Sequence, residues 1–187
     1  MLKPNHYKRI PISTGFMLIS MLLITGACNN MQNKPNLKNQ IYNDFECYEG
    51  WNGISGYYNL KSGDAHSGMH AILTDSANLY SLTLNRMLKD LSEKPIRKIK
   101  MSTWLKCQSL PANGSYVLSV EKNGQTLKYF SFDLKEQDAV LNKWVPVQGT
   151  AEIPPSIPGD AYVKIYFWNK SKSAGILVDD FQIEFEN

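Results

Sequence analysis

Apolar and polar residues alternate with a period of two along much of this chain. Two runs, 115–120 and 125–132, show the alternation, and Asn123-Gly124 lies between them. Side chains with this period lie on opposite faces of a β-strand, and an Asn-Gly pair between two such runs indicates a tight hairpin. The pattern therefore predicts β-strands in this part of the chain.

Further runs of the same kind occur on both sides of that hairpin. They lie at 41–48, 56–60, 69–74, 78–84, 96–108, 143–153, 161–169 and 176–186. Segments rich in Gly, Pro, Asn and Ser separate them, and only 85–92 favours a helix of one or two turns. Many short strands separated by such turns are typical of a β-sandwich or barrel, so the sequence predicts an all-β fold.

The first 28 residues have a different pattern. Residues 1–9 carry three basic and no acidic side chains, 10–27 carry no charge, and Thr25-Gly26-Ala27 precedes Cys28. This is the layout of a secretory signal, and it resembles the lipobox of bacterial lipoproteins. The resemblance implies cleavage before Cys28 and lipidation of that cysteine. A membrane-spanning anchor is the alternative, but the strongly apolar run covers only 16–24, whereas a span needs about 20 residues.

The charge and composition of the sequence also indicate how the rest of the chain is organised. The whole sequence has 20 Lys and Arg against 17 Asp and Glu, and residues 1–27 hold three of the basic residues, so 17 of each sign remain. A near-neutral chain gives no reason to expect nucleic-acid binding. We predict a signal peptide at 1–27, a lipidated cysteine and polar tether at 28–40, and one domain at 41–187. This organisation predicts a protein anchored by lipid in the bacterial cell envelope, at the outer membrane.

Four motifs in the predicted domain occur in a characteristic order. They are Asn43-Asp44-Phe45-Glu46, Ser67-Gly68, Lys143-Trp144 and Asp179-Asp180. This order resembles the galactose-binding-domain-like jelly rolls, in particular the carbohydrate-binding modules of xylanases and laminarinases. The resemblance implies a jelly-roll β-sandwich of two antiparallel sheets that binds glycan without acting on it.

The same resemblance implies a structural calcium ion. Its ligands would come from Glu46, Asp179, Asp44 and the turn at Ser67. The alternation in 176–186 adds an independent reason, because it places Asp179 in phase with Phe181, where an unpaired carboxylate is costly and a hard cation would compensate for it. The alternative is that Asp179 accepts hydrogen bonds from backbone N–H groups.

Three predicted strands present aromatic and basic side chains in the phase opposite to their apolar residues. The predicted sugar-contacting residues are Trp104, Trp168, Tyr166, Tyr129, Lys106 and Lys164. Aromatic rings with polar neighbours suit sugars, which combine apolar C–H faces with hydroxyl groups. We expect these residues to share one face, and the lysines, together with Lys100, favour an acidic polysaccharide. The alternative is that the rings cover a second packing layer or dock a partner protein of the envelope.

Other chemistry has little support in the sequence. His66 and His70 have no nearby cysteine nucleophile, and no phosphate-binding glycine loop or hydrolase motif occurs. Cys47 and Cys107 would form a disulfide or remain two buried thiols. We therefore expect a glycan-binding lipoprotein, with a structural or protein-interaction lipoprotein as the alternative and a glycoside hydrolase or lyase as the less supported class.

The lipoprotein hypothesis predicts that acylation depends on Cys28. A Cys28→Ser variant should lose metabolic labelling by fatty acid, because serine has no thiol to receive the lipid, and it should stay uncleaved or leave the membrane. A variant that remains acylated and fully membrane-bound would contradict the hypothesis.

Overall fold

The computed structural model describes residues 39–47, 51, 59–135, 138–171 and 174–187. The predicted signal peptide, Cys28 and the tether up to residue 38 lie outside the described residues. The strands are β1 (Gln40–Asn43), β2 (Leu60–Ser62), β3 (His70–Thr74), β4 (Leu84–Met87), β5 (Lys98–Cys107), β6 (Gly114–Lys122), β7 (Gln125–Asp133), β8 (Trp144–Glu152), β9 (Tyr162–Asn169) and β10 (Ile176–Glu186). A one-turn helix, α1 (Leu88–Leu91), follows β4.

The strands form two antiparallel sheets. One has the order β2-β3-β10-β5-β8, with β1 also paired to β10, and the other has the order β4-β9-β6-β7. All strand pairs between these elements are antiparallel. The predicted fold, an all-β sandwich of two antiparallel sheets, is confirmed.

The predicted hairpin joins β6 to β7. Asn123 and Gly124 have φ values of 51° and 77°, the left-handed conformation that a two-residue type I′ turn requires at both positions. The turn places Lys122 opposite Gln125, and a register shift between Val120 and Glu121 then places Leu118 opposite Phe130 and Ser119 opposite Tyr129. This register decides which side chains of the hairpin face the core.

The core lies between the two sheets and contains a cluster of rings. Phe181 of β10 packs against Phe45 at 5.3 Å, Trp51 at 5.4 Å and Tyr116 of β6 at 4.9 Å between ring centroids. Phe45, Tyr116 and Phe181 are fully buried. Such aromatic pairs contribute about 0.5–1.5 kcal/mol beyond their buried area, and the Phe181–Tyr116 contact joins one sheet to the other.

Two local predictions need correction, and one alternative is decided. Segment 78–84 is not a continuous strand, because Tyr80 and Thr83 make only isolated bridges there and β4 begins at Leu84. The helix predicted over 85–92 is limited to α1, since β4 occupies most of the segment's first half. Of the two alternatives for Cys47 and Cys107, the structure shows two buried thiols that no disulfide joins.

Within the described ranges, no helix is long and apolar enough to cross a membrane.

Candidate functional site

The outward side of the four-stranded sheet carries a group of aromatic residues. We call this group the aromatic face; its members are Tyr80, Tyr129, Tyr162, Tyr166 and Trp168. The core-facing residues of β9 are Val163, Ile165 and Phe167, all fully buried, so the residues between them point outward. Tyr129 reaches the same side through β7, because Ser119 lies opposite both Tyr129 and Lys164.

Three rings of the aromatic face contact one another, and its other tyrosines are exposed to solvent. Tyr80 stacks on Trp168 with centroids 6.2 Å apart and meets Tyr166 edge-on at 5.7 Å. Tyr80 and Tyr129 are 49% and 50% exposed. Large exposed aromatic side chains that cluster in this way are typical of binding surfaces.

Small side chains of β6 lie beneath these rings. Ser115, Val117 and Ser119 point outward, yet they are 0%, 0% and 3% exposed. Their neighbours on β9 are the larger Trp168, Tyr166 and Lys164, so the flanking side chains cover them. The larger side chains of the neighbouring strands therefore close over the small residues of β6 and form the surface of this face.

Two ion pairs lie on this side of the sheet. Lys164 Nζ is 2.6 Å from Glu121 Oε2, and Lys170 Nζ is 2.8 Å from Asp133 Oδ1. The hydrogen bond from Lys164 lowers the pKa of Glu121, and the hydrogen bond from Lys170 lowers the pKa of Asp133. Both carboxylates are therefore ionised at neutral pH.

Tyr166 remains a neutral phenol under ordinary conditions. Burial raises the pKa of its hydroxyl to about 12, and the nearby Tyr129, Tyr80 and Glu121 add to the rise. A neutral phenol donates and accepts hydrogen bonds. Tyr166 can therefore offer a ligand both its ring and its hydroxyl.

The structure divides the predicted sugar-contacting residues between two faces. Tyr129, Tyr166, Trp168 and Lys164 lie together on the four-stranded sheet, and their contact with sugar stays a prediction. Trp104 and Lys106, with Lys100, lie on β5, which belongs to the six-stranded sheet. The prediction that all of these residues share one face is wrong. Alternation shows which side chains point away from the core, but it does not show which sheet a strand belongs to.

Trp104 is partly covered where it lies. The His66 ring stacks on it with centroids 3.9 Å apart and an interplanar angle of 13°, and His66 Nδ1 is 2.5 Å from Asp180 Oδ2. Lys106 Nζ donates to Asp64 Oδ1 at 2.6 Å. The loop between β2 and β3 therefore packs over this part of the six-stranded sheet.

A β-bulge changes the expected position of Asp179. The register of β10 shifts just after this residue, and Asp180 has φ 52°; an extra residue of this kind reverses the phase of the strand. Val178 faces the core before the shift and Phe181 faces it afterwards. Asp179, which lies opposite Trp104, therefore does not share the phase of Phe181 as the alternation suggests.

Carboxylate oxygens of the predicted calcium ligands Asp179 and Glu46 accept hydrogen bonds from backbone N–H groups. Asp179 is fully buried, and its Oδ2 accepts from the N–H groups of His66 at 2.8 Å and Ser67 at 3.1 Å. Burial raises its pKa to about 7. Glu46 Oε1 accepts from the N–H groups of Met69 and His70 at 2.6 and 2.7 Å. These bonds hold the loop between β2 and β3.

The remaining members of the set are engaged as well. Ser67 Oγ donates to Asp180 Oδ1 at 2.5 Å, and Asp44 Oδ1 accepts from the Glu46 N–H at 3.3 Å. Among the described residues, no three Asp, Glu, His or Cys side chains are grouped so as to hold a metal ion. The present donor set therefore does not fit a calcium cage, and calcium binding stays an untested prediction.

Several residues of the site were not selected from the sequence. Tyr80 was not selected because it lies in a segment predicted as a strand of its own, and only the fold shows that this segment brings Tyr80 onto Trp168. Glu121 and Asp133 are two of the 17 acidic residues of the sequence, and no motif includes them. The alternation along β6 could have identified Glu121. This residue follows Ser115, Val117 and Ser119 at intervals of two and therefore points outward with them.

The fold is similar to solved carbohydrate-binding modules. The C-terminal family 22 module of a Clostridium thermocellum xylanase is 15% identical, with a TM-score of 0.55 over 81% of this chain and 96% of that one. A xylan-binding domain from Paenibacillus barcinonensis is 16% identical, with a TM-score of 0.55 over 78% and 99%. A family 35 module from Cellvibrio japonicus is 8% identical, with a TM-score of 0.52 over 78% and 92%.

These likenesses show the fold, which agrees with the jelly roll expected from the sequence. No family model matches the sequence, and no curated protein is similar to it. What the domain binds therefore has to be argued from its own surface.

The hydrogen bonds around Glu46 and Asp179 predict that chelation leaves stability unchanged, because backbone N–H groups already engage the carboxylate oxygens that a cation would need. The melting temperature of the protein should be the same in chelator and in millimolar calcium. A bound cation would instead stabilise the fold by about 2.7 kcal/mol at a hundredfold excess over Kd. A melting temperature that falls in chelator and recovers with calcium would contradict this prediction.

Proposed function

We propose that this protein is a non-catalytic glycan-binding protein of the bacterial cell envelope, held there by a lipid on Cys28. The observation that carries the binding function is the aromatic face, where exposed tyrosine rings lie beside polar and charged side chains. Sugar rings stack their C–H faces on aromatic side chains, and sugar hydroxyl groups find hydrogen-bonding partners in the polar side chains nearby.

The similar structures support a polysaccharide as the ligand. One of them is described as a xylan-binding domain, and a Clostridium thermocellum xylanase fragment, which has a TM-score of 0.56 and 13% identity over 80% of this chain, was solved with xylohexaose. This chain covers 29% of that two-module protein. We infer that the aromatic face takes a polysaccharide of several sugar units.

The arrangement of carboxylates on this face argues against glycoside hydrolysis. Asp133 lies opposite Ser115, six residues before Glu121 on β6, which separates the two carboxylates by about 20 Å along the strand. Glycosidases use a pair of carboxyl groups about 5–9.5 Å apart, one of them with a raised pKa. Here both pKa values are lowered, so neither group suits a general acid.

The length of the face favours an extended segment of polymer. From Tyr162 to Trp168 the outward residues of β9 span about 20 Å, at roughly 3.3 Å per residue. Tyr166 lies between them, and Tyr129 faces them across β6. We infer that a chain lies along the strands and contacts several rings.

The two sheets provide a matched test of the binding face. Replacement of Trp168 by Ala should weaken binding to xylohexaose or to whichever polysaccharide a glycan panel identifies, by roughly tenfold or more, which corresponds to about 1.4 kcal/mol. Trp104→Ala should leave affinity unchanged, because Trp104 is on the opposite sheet. Affinities would be measured by titration calorimetry on the purified full chain.

Thermal melts of both variants separate binding from folding. Trp168 is only partly buried, so Trp168→Ala should remain folded while it loses affinity. Equal affinity of Trp168→Ala and the parent protein, or a loss confined to Trp104→Ala, would overturn the proposed face. If no polysaccharide binds the parent protein, the glycan-binding function itself is wrong.

A further inference from the structure

The Glu121–Lys164 pair lies within the aromatic face. Glu121 is opposite Tyr162, and Lys164 lies between Tyr162 and Tyr166 along β9. Ser119 Oγ donates to Glu121 Oε1 at 3.0 Å, while Lys164 Nζ holds Oε2 at 2.6 Å. The pair therefore sits where a ligand on the neighbouring rings would pass.

Both members of this pair keep unused hydrogen-bonding capacity. An ammonium has three donors and a carboxylate about four acceptor positions, and the pair uses only one of the donors. The side chains are 26% exposed for Glu121 and 36% for Lys164. A sugar ring with two adjacent hydroxyls could therefore donate to the carboxylate with one and accept from the ammonium with the other.

The second ion pair repeats this arrangement at the other end of the face. Asp133 accepts from Lys170 Nζ at 2.8 Å and from the hydroxyls of Ser115 and Ser131. The Lys170 ammonium is also 5.4 Å from the centroid of the Trp168 ring. Each end of the face thus presents a lysine whose charge a carboxylate compensates.

The charge balance of the face determines which glycans it suits. The two lysines are matched by two carboxylates, while Lys100 and Lys106, which favoured an acidic ligand, lie on the other sheet. A uronate would have to approach Glu121 or Asp133 to reach either lysine, and like charges at that distance repel. An uncharged ligand is not repelled by these carboxylates.

We propose, on the basis of the proposed function, that the aromatic face binds a neutral polysaccharide and that Glu121 and Lys164 determine this specificity. The pair contacts adjacent hydroxyls of one sugar unit. Glu121 also keeps Lys164 from attracting acidic polymers.

A single substitution tests the proposal. Glu121→Gln keeps the size of the side chain and removes its charge, which leaves Lys164 without a compensating carboxylate. Two soluble polymers with the same backbone serve as probes: hydroxyethylcellulose, which is neutral, and carboxymethylcellulose, which carries carboxylates. Xylohexaose and polygalacturonate form a second neutral and acidic pair, and binding is measured with the purified full chain by titration and affinity electrophoresis.

The parent protein should bind a neutral probe at least tenfold more tightly than its acidic counterpart, with little change between low and high salt. In Glu121→Gln the ratio of neutral to acidic affinity should fall at least tenfold, and binding of the acidic probe should weaken with added salt. The variant should fold, because ion pairs at the surface contribute little to stability.

Asp160→Asn is the matched control. Lys122 pairs with Asp160 at 2.7 Å, and this pair is not part of the aromatic face. The control frees a lysine in the same way, so it should leave the ratio of affinities unchanged.

The outcomes separate this proposal from the proposed function. Tighter binding of the acidic probes by the parent protein, or an unchanged ratio in Glu121→Gln, overturns the specificity while glycan binding stands. An equal change in Asp160→Asn overturns it too, because net charge alone would then explain the effect. If none of the four probes and no glycan of a wider panel binds the parent protein, both proposals fail.

Discussion

Packing of Phe181 against Tyr116 is the interaction on which the rest of this structure depends. Phe181 belongs to the centre of the six-stranded sheet and Tyr116 to the centre of the four-stranded sheet, and their rings meet at 4.9 Å. Once Tyr116 faces the core, the alternation along β6 places its neighbours Ser115 and Val117, and then Ser119, on the outward side. The larger side chains of the neighbouring strands cover these small residues and form the aromatic face.

Much of the fold follows from local sequence. The Asn123-Gly124 turn, the long strands around it and the outward position of Tyr166 and Trp168 depend on signals within a few residues. The assignment of Trp104 failed for a different reason. Its phase was inferred correctly, but whether β5 joins β9 or β10 depends on pairing between residues far apart in the chain, which periodicity does not contain.

Two further errors have local physical causes. Alternation in β10 is broken by the bulge at Asp180, so a single phase drawn through Asp179 and Phe181 is wrong. The sequence does not distinguish Glu121, because a charged residue at the end of a strand resembles any solvated surface group. Its role became visible only when the register placed it beside Tyr162 and within reach of Lys164.

The central claim is that glycan binds the four-stranded sheet, and the indole N–H resonances of Trp104 and Trp168 test it most directly. In nuclear magnetic resonance spectra of the full chain titrated with a bound polysaccharide fragment such as xylohexaose, the Trp168 signal should move with increasing ligand. The Trp104 signal should stay in place, because that ring lies on the other sheet under His66. Movement of the Trp104 signal with a stationary Trp168 signal would contradict the account.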